Sequence, residues 1–415
     1  MLRIDVALSS ARRQRFEVPE SSKVGDLKSL AQKSFGKGFL KLVTTQGKVL
    51  SDPDKSLQAA GLQDEDHLTA IVQEGKLAAT SQAFALWCCG GDRIVTWSRS
   101  DGSSDFSGGD SSQIQARLKA VQEVKATDRA FAAILADGSV VAWGDIDPGG
   151  DPYDFADEDY FTPRDVQQVQ ANDGAFAAIR TDGSVATWGS NLFGGRSLEV
   201  QDQLRNVLHI QATSRGAFAA IKEDGSVVTW GNSQCGGDSS SVRDQLRGVQ
   251  QIQATGGAFA AIRADGSAIS WGDPSCGGDS LAVQDQLRNV LHIQATSDGA
   301  FAAIKEDGSV VTWGQPNCGG DSTWVQDQLR NVLHIQATAD AFAAIKEDGS
   351  VVTWGNPHDG GDSSDVKDQL RNVLHIQATS DGAFAAIKED GSVVTWGQPY
   401  CGGDITGVQD QIASL

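Results

Sequence analysis

The sequence predicts a mainly β chain, a small α+β domain followed by tandem all-β units, and three observations predict it. Tryptophan recurs at Trp97, Trp143, Trp188, Trp230, Trp271, Trp313, Trp354 and Trp396, at intervals of 41 to 46 residues. Composition favours short strands and tight turns, with 47 Gly against a single Met. Residues 1–72 lack the repeat and carry their own pattern, first alternating and then helical.

Leu2, Ile4, Val6 and Leu8 alternate with polar residues, a polar stretch follows at 9–13, and a second run ends at Phe16-Glu17-Val18. That pattern predicts a β-hairpin. Val24, Leu27, Leu30 and Ala31 have helical spacing, and Ser22 is a suitable N-cap. Short strands are expected around Phe39–Thr44 and Lys48–Leu50, with a last one at His67–Val72.

Hairpin, helix, short strands and closing strand are, in that order, the parts of a β-grasp domain. The segment resembles ubiquitin at Val24-Gly25-Asp26-Leu27-Lys28, at Gly47-Lys48-Val49-Leu50-Ser51-Asp52, and at Leu57, Gly61-Leu62 and His67–Val72. Gln73-Glu74-Gly75-Lys76 stands where ubiquitin carries its conjugating di-glycine, so the domain is expected to be a fixed module. The resemblance aligns ubiquitin's recognition isoleucine near Thr44 and retains Ile71 on the neighbouring strand. A Thr removes apolar contact area worth on the order of 1 kcal/mol, which implies a weakened patch.

From residue 76 the chain repeats a unit. One copy reads His292-Ile293-Gln294-Ala295-Thr296, Ala300-Phe301-Ala302-Ala303-Ile304, then Asp307-Gly308-Ser309-Val310-Val311-Thr312-Trp313-Gly314. It closes with Gly319-Gly320-Asp321 and Val325-Gln326-Asp327-Gln328-Leu329, and eight copies are present. Asp-Gly between apolar runs predicts a hairpin turn with both turn residues at positive φ. Runs apolar on both faces predict sheets buried front and back, stacked as a propeller or as a β-solenoid. Val325, Leu329 and Val332 fit a helical turn or an outer edge strand. The expected organisation is a first domain at 1–72, a linker at 73–76 and repeats at 77–415.

The unit resembles the repeats of the regulator-of-chromosome-condensation family, most clearly at Asp307-Gly308 and Trp313-Gly314 and their equivalents. The resemblance implies a β-propeller. Because the family ring has seven blades, eight units imply eight blades or seven with one displaced.

Net charge is −20, with +2 on residues 1–72 and the deficit on the repeats. Such a surface repels phosphate backbones, so nucleic acid is excluded as a partner and basic protein segments are favoured. No run reaches the roughly 20 apolar residues of a membrane span. The N-terminus lacks an export signal, so the expectation is a monomeric intracellular protein, cytoplasmic or nuclear, with six reduced Cys.

Chemistry has no visible carrier. The Asp of each Asp-Gly is a turn residue, and one Gly-Gly-Asp carboxylate per unit falls short of a calcium site. Cys235, Cys276, Cys318 and Cys401 occupy one equivalent loop position, and His209, His292, His334 and His375 one strand position. No cofactor, metal or catalytic residue is expected. The units do differ after Trp-Gly and after Gly-Gly-Asp, as variable loops on a constant frame differ when they form a binding face. Phe193, Trp324, Tyr400 and His358 are the candidate contacts there. The loop 151–161 interleaves acidic residues with Tyr153, Phe155 and Tyr160, and Ile71 is the candidate on the first domain.

The function expected is a protein-binding scaffold, with the repeats holding a client and the first domain docking to ubiquitin or proteasome machinery. Two alternatives follow from the family resemblance. One is guanine-nucleotide exchange on a small GTPase, for which residues 145–164 are the single wedge-like insertion. The other is the substrate-binding part of a HECT-type ligase system, since the catalytic domain of such ligases has no counterpart in this sequence.

Overall fold

A computed structural model describes residues 1–8, 12–89, 91, 93–98, 108–145, 147, 149 and 163–406. The chain is mainly β, and it divides into two compact units, 1–125 with 131–144, and 126–130 with 145–415.

In the first unit, β1 (Leu2–Leu8) pairs antiparallel with β2 (Arg13–Val18) and parallel with β4 (Asp66–Val72), which pairs in turn with β3 (Leu40–Thr44). The sheet order β2-β1-β4-β3, crossed by α1 (Val24–Phe35), is that of a β-grasp domain. Its core joins Ile4, Val6, Leu40 and Leu68 to the helix residues Val24, Leu27, Ala31 and Phe35. The helix starts at Lys23, whose backbone N–H is bonded by Asp26, and stops at Gly36 in the left-handed region.

Eight three-stranded antiparallel sheets follow, each one blade of the propeller class. Their middle strands, which number the blades 1 to 8, are Ala83–Cys88, Ala130–Leu135, Ala175–Arg180, Ala217–Lys222, Ala258–Arg263, Ala300–Lys305, Ala341–Lys346 and Ala383–Lys388. Blade 6 is typical, pairing Val290–Ala295, Ala300–Lys305 and Val310–Gly314 in order. The linker expected at 73–76 is taken up quickly. The Gln73 N–H donates to the Phe39 carbonyl at 3.0 Å, and the first strand of blade 1 begins at Gly75.

One cross-strand pair and one hydrogen bond explain most of the repeated letters. In blade 6 Phe301 stands opposite Trp313, with stacked rings whose centroids lie 5.2 Å apart. The Trp313 Nε1–H reaches back to the preceding unit and donates to the Gly277 carbonyl at 3.1 Å. Trp230, Trp271, Trp354 and Trp396 repeat this bond to Gly194, Gly236, Gly319 and Gly360 at 3.0 to 3.1 Å. Gly277 has φ +88°, and a Cβ there would lie 2.8 Å from the Phe301 ring, so the first glycine of Gly-Gly-Asp is demanded by the next blade's aromatics.

One local expectation is corrected and one open alternative is resolved. In the hairpin 305–309 only Gly308 takes positive φ, at 72°. The Lys305 N–H donates to the Ser309 carbonyl, closing a loop of three residues, Glu306-Asp307-Gly308. A glycine in the left-handed region closes such a loop, so Asp307 keeps ordinary geometry. Of the two forms expected for the segment after Gly-Gly-Asp, the structure has the helical turn, of 3-10 type, at Gln326–Gln328 in one unit and Gln201–Gln203 in another. Three residues suffice to return the chain to the next blade, and the C-cap Leu329, fully buried, seals it.

Candidate functional site

The blade strands leave two ends to carry variable residues. At the end following Trp-Gly, blades 3 to 8 each fold a short 3-10 turn, among them Asn191–Phe193, Pro316–Cys318, Pro357–Asp359 and Pro399–Cys401. The middle residue of the turn points outward: Leu192 is 77% and Tyr400 99% exposed, and His358 is exposed. The third residue turns inward. Cys235, Cys276 and Cys318 are buried, and the Cys276 Sγ would lie 3.1 Å from a Cβ on Gly257. Burial pushes all three thiols up, so they are packing residues rather than nucleophiles.

That inward third position corrects the expectation for Phe193, which is half-buried and packs against the blade 3 and 4 core with Val207 and Ile210. Leu192 is the residue its loop presents. Trp324, by contrast, is 90% exposed, in the segment after Gly-Gly-Asp. Tyr153, Phe155 and Tyr160 lie outside the described residues.

The turns between the first and second strands sit at this same end, and backbone bonds tie successive blades through them. Asp128 N–H donates to Asp173, Asp173 to Ser214, Arg215 to Gly256, Gly256 to Ser297 and Asp298 to Ala339. The series brings Asp128, Asp173, Asp298 and Asp340 to one end with Arg215. Burial, then repulsion from Asp128, holds the Asp173 carboxyl up to about 6, against a partial pull from Arg215. Asp359 is likewise raised, by burial and by Asp340. Such a raised group binds its proton more tightly folded than unfolded. Stability contributed by Asp173 is therefore fully present below about 4 and lost as pH rises to about 6. Asp173→Asn is expected to leave the denaturation midpoint unchanged near pH 3.5 and to raise stability at pH 7.5. The gain is on the order of 1 kcal/mol after discounting for the solvent that reaches the group.

The opposite end carries residues that sequence reasoning missed. In blade 6 Val290 pairs with Lys305 and His292 with Ile304, leaving Leu291 as the extra residue of a β-bulge. The bulge turns Leu291 to solvent, 60% exposed, and Leu208, Leu333 and Leu374 do the same in blades 4, 7 and 8. Alternation gives no warning of such a leucine, because the bulge breaks the alternation itself. His292 and His334 stand on these same first strands, half-buried, and burial together with the neighbouring blade's histidine lowers both. They are strand residues, as their spacing implied.

On the β-grasp domain the outward face differs from the aligned one. Leu42 and Ala70 pair on the buried side, so Val43, opposite Thr69, faces outward with Ile71, which is 44% exposed. Thr44 instead pairs with buried Leu68, and its Oγ1 accepts from the Lys48 N–H at 3.1 Å. The weakening assigned to Thr44 is thus overturned, because Val43 supplies the apolar residue beside Ile71. At the edge of this domain Lys28, Phe39 and Lys41 line a cleft of about 200 Å³ with Trp87, Cys88 and Arg93 of the blade 1 region.

Two larger grooves lie between consecutive units. One, of about 770 Å³, runs between Arg196–Gln203 and the third strand of blade 4, Val227–Gly231, with Arg243 at its side. The other, of about 810 Å³, is its equivalent at blade 7, between Trp324–Gln328 and Val351–Gly355, with Lys367. Among the described residues no group of His, Cys, Asp or Glu side chains is arranged to hold a metal ion, and no helix is long and apolar enough to cross a membrane.

Blades and β-grasp domain together define a tandem-repeat β-propeller chain with an appended α+β domain. No protein-family model matches it, and no curated protein does. Among solved structures it is similar to Prp20p from Saccharomyces cerevisiae, a structure described with its binding to Gsp1p and histones, at 17% identity and a TM-score of 0.38, over 68% of this chain and 82% of that one. It is similar to the computationally designed Ika8 protein at 15% identity and a TM-score of 0.35, over 78% and 98%. The first domain is similar to Caldiarchaeum subterraneum ubiquitin at 17% identity and a TM-score of 0.17, over 18% and 94%. At such values the fold rests on the chain's own strand pairing.

Proposed function

We propose that this chain is a non-catalytic protein-binding scaffold, in which the blade ends hold a client and the β-grasp domain docks to ubiquitin or proteasome machinery. One observation carries the reading. The strand residues shared by the units, such as Phe301 and Ala302, are fully buried, whereas large apolar residues peculiar to single units stand exposed. Leu192, Trp324 and Tyr400 are 77%, 90% and 99% exposed, and large apolar side chains of that kind are contact anchors when a partner covers them. The acidic turns at the same end favour a client with a basic surface. Val43 and Ile71 form the corresponding contact on the first domain.

The test is a cross-linking capture comparing the intact chain with Leu192→Ala combined with Tyr400→Ala, and separately with Val43→Asp. Circular dichroism verifies that each variant folds. The first variant is expected to lose its propeller client at least tenfold and keep ubiquitin-pathway partners, and the second to do the reverse. Capture unchanged by both would end the scaffold reading. Nucleotide release from small GTPases, measured on the same samples, tells a bound client from a client whose exchange is accelerated.

A further inference from the structure

The third strand of each blade is a sheet edge, and several units close it with a side chain of their own. In blade 3 Gln201 Nε2–H donates to the Val185 carbonyl at 2.9 Å, while its Oε1 accepts from the Ser197 hydroxyl at 2.8 Å. Gln284 does this for Ala268 and Ser280 in blade 5, and Gln326 for Val310 and Ser322 in blade 6. Gln115 caps Ile94 in blade 1. The glutamine amide thus bridges one carbonyl and one hydroxyl, and Val185, Ala268 and Val310 are left only 1% exposed beneath it. An edge covered in this way is protected from pairing with another chain.

Among the blades whose described residues include that position, two break the pattern. Sixteen residues after the strand's first residue, blade 4 has Arg243 and blade 7 has Lys367. Both are exposed, and among the described residues neither forms an ion pair and no side chain donates to the Val227 or Val351 carbonyl. Those two valines are half-exposed, where their capped equivalents are buried. The serines that would serve the amide, Ser239 and Ser363, bond to Thr229 and Thr353 at 2.9 and 3.0 Å. These are the blades at which the 770 and 810 Å³ grooves open. Of the carboxylates nearby, Asp238 and Asp362 accept from the backbone N–H groups of Ser240 and Ser364 at 2.9 Å, and Glu199 lines the far wall of the blade 4 groove.

We infer that the two grooves are peptide-binding sites. Each receives an extended, carboxylate-bearing segment of a partner protein that pairs with the uncapped third strand. The ligand's backbone amide takes the place that a glutamine amide fills in the closed blades, with its N–H on the Val227 or Val351 carbonyl. Its carboxylate meets Arg243 or Lys367. The chemistry is that of strand addition to an open edge, where backbone bonds hold the segment and a charged side chain sets its register. Long-range repulsion by the acidic chain does not oppose this at physiological salt, where charges are screened beyond about 8 Å. The inference deepens the scaffold reading and rests on it only for the partner being a protein, the basic surface met at the blade ends and the carboxylate met in the grooves being separate contacts.

The probe is a fluorescein-labelled octapeptide alternating valine with glutamate, titrated by anisotropy and calorimetry in 150 mM salt. The intact chain is expected to bind two copies. Arg243→Gln or Lys367→Gln, each restoring the chain's own cap, is expected to leave one site, and the double variant none. Gln326→Arg, opening blade 6, is expected to add a third. Replacing the glutamates by lysine, or methylating alternate backbone nitrogens, is expected to weaken binding at least tenfold. Stoichiometry unchanged in the double variant, equal binding of the lysine or N-methylated peptide, or no binding at millimolar peptide would each overturn the inference. Leu192 and Tyr400 line neither groove, so client capture lost in their variant alongside a blank peptide titration would sink the grooves and leave the scaffold standing.

Discussion

Phe301→Ala is expected to cost about 4 kcal/mol, within the roughly 3–5 kcal/mol span of buried Phe truncations. The ring is fully buried and stacks on Trp313 at 5.2 Å. It shares a core with Ala258, Ala260 and Ile262 of blade 5, so its removal opens a cavity between two blades rather than inside one. In stacked repeats such a loss acts on the interface as well as on the unit, and a single unfolding transition is not guaranteed. Hydrogen exchange is therefore the better measurement alongside denaturant unfolding. Protection is expected to fall in the middle strands of both blades 5 and 6. Loss confined to blade 6 would show that the aromatic pair does not couple neighbours. Phe84→Ala provides the contrast, because Phe84 and Trp97 are stacked but each 42% exposed, and a cost of about 1 kcal/mol is expected there.

Gly277→Ala is expected to destabilise by about 3 kcal/mol, of which roughly 1–2 comes from holding a non-glycine residue in the left-handed region. The rest comes from the ring edge of Phe301, which a Cβ would meet at 2.8 Å and which, being fully buried, has little room to withdraw. Gly402→Ala separates the two contributions. Gly402 has φ +105°, yet nothing lies within 4 Å of a Cβ built on it, so the backbone cost alone, about 1–2 kcal/mol, is expected there. Equal losses in the two variants, read from chemical denaturation, would mean that the steric contact contributes nothing.

Much of this frame was legible in the sequence because one interaction set recurs. Trp-Gly, Asp-Gly and Gly-Gly-Asp each mark a position where geometry admits little choice, and their spacing counts the units without reference to any structure. The β-grasp order was legible for a similar reason, since alternation and helical spacing change cleanly between Val18 and Val24. The misreadings share a cause. Phe193 looked like a surface anchor because a loop aromatic usually is one, but a three-residue turn sends its third side chain back beneath the next blade. Thr44 looked outward by alignment, whereas the pairing of Val43 with Thr69 decides which residue faces solvent. Leu291 was invisible for want of a rule that predicts a bulge from sequence. The groove position was in plain view at Arg243 and Lys367, but it acquires meaning only once Gln201 and Gln326 are seen to be caps.

The backward reach of the Trp230, Trp271, Trp313, Trp354 and Trp396 indoles to the glycine before them also bears on how such a chain can grow. A unit counted from one first strand to the next, such as Val290 to Asn331, contains a donor for its predecessor, Trp313, and an acceptor for its successor, Gly319. Duplicating or deleting a whole unit in the gene therefore leaves each of these tryptophans with a carbonyl to meet. A gain or loss out of phase strands one partner in the core. Copy number is free to drift while the phase of the copying is not, and the near-identical units from Val290 to Gly397 are what in-phase duplication leaves behind.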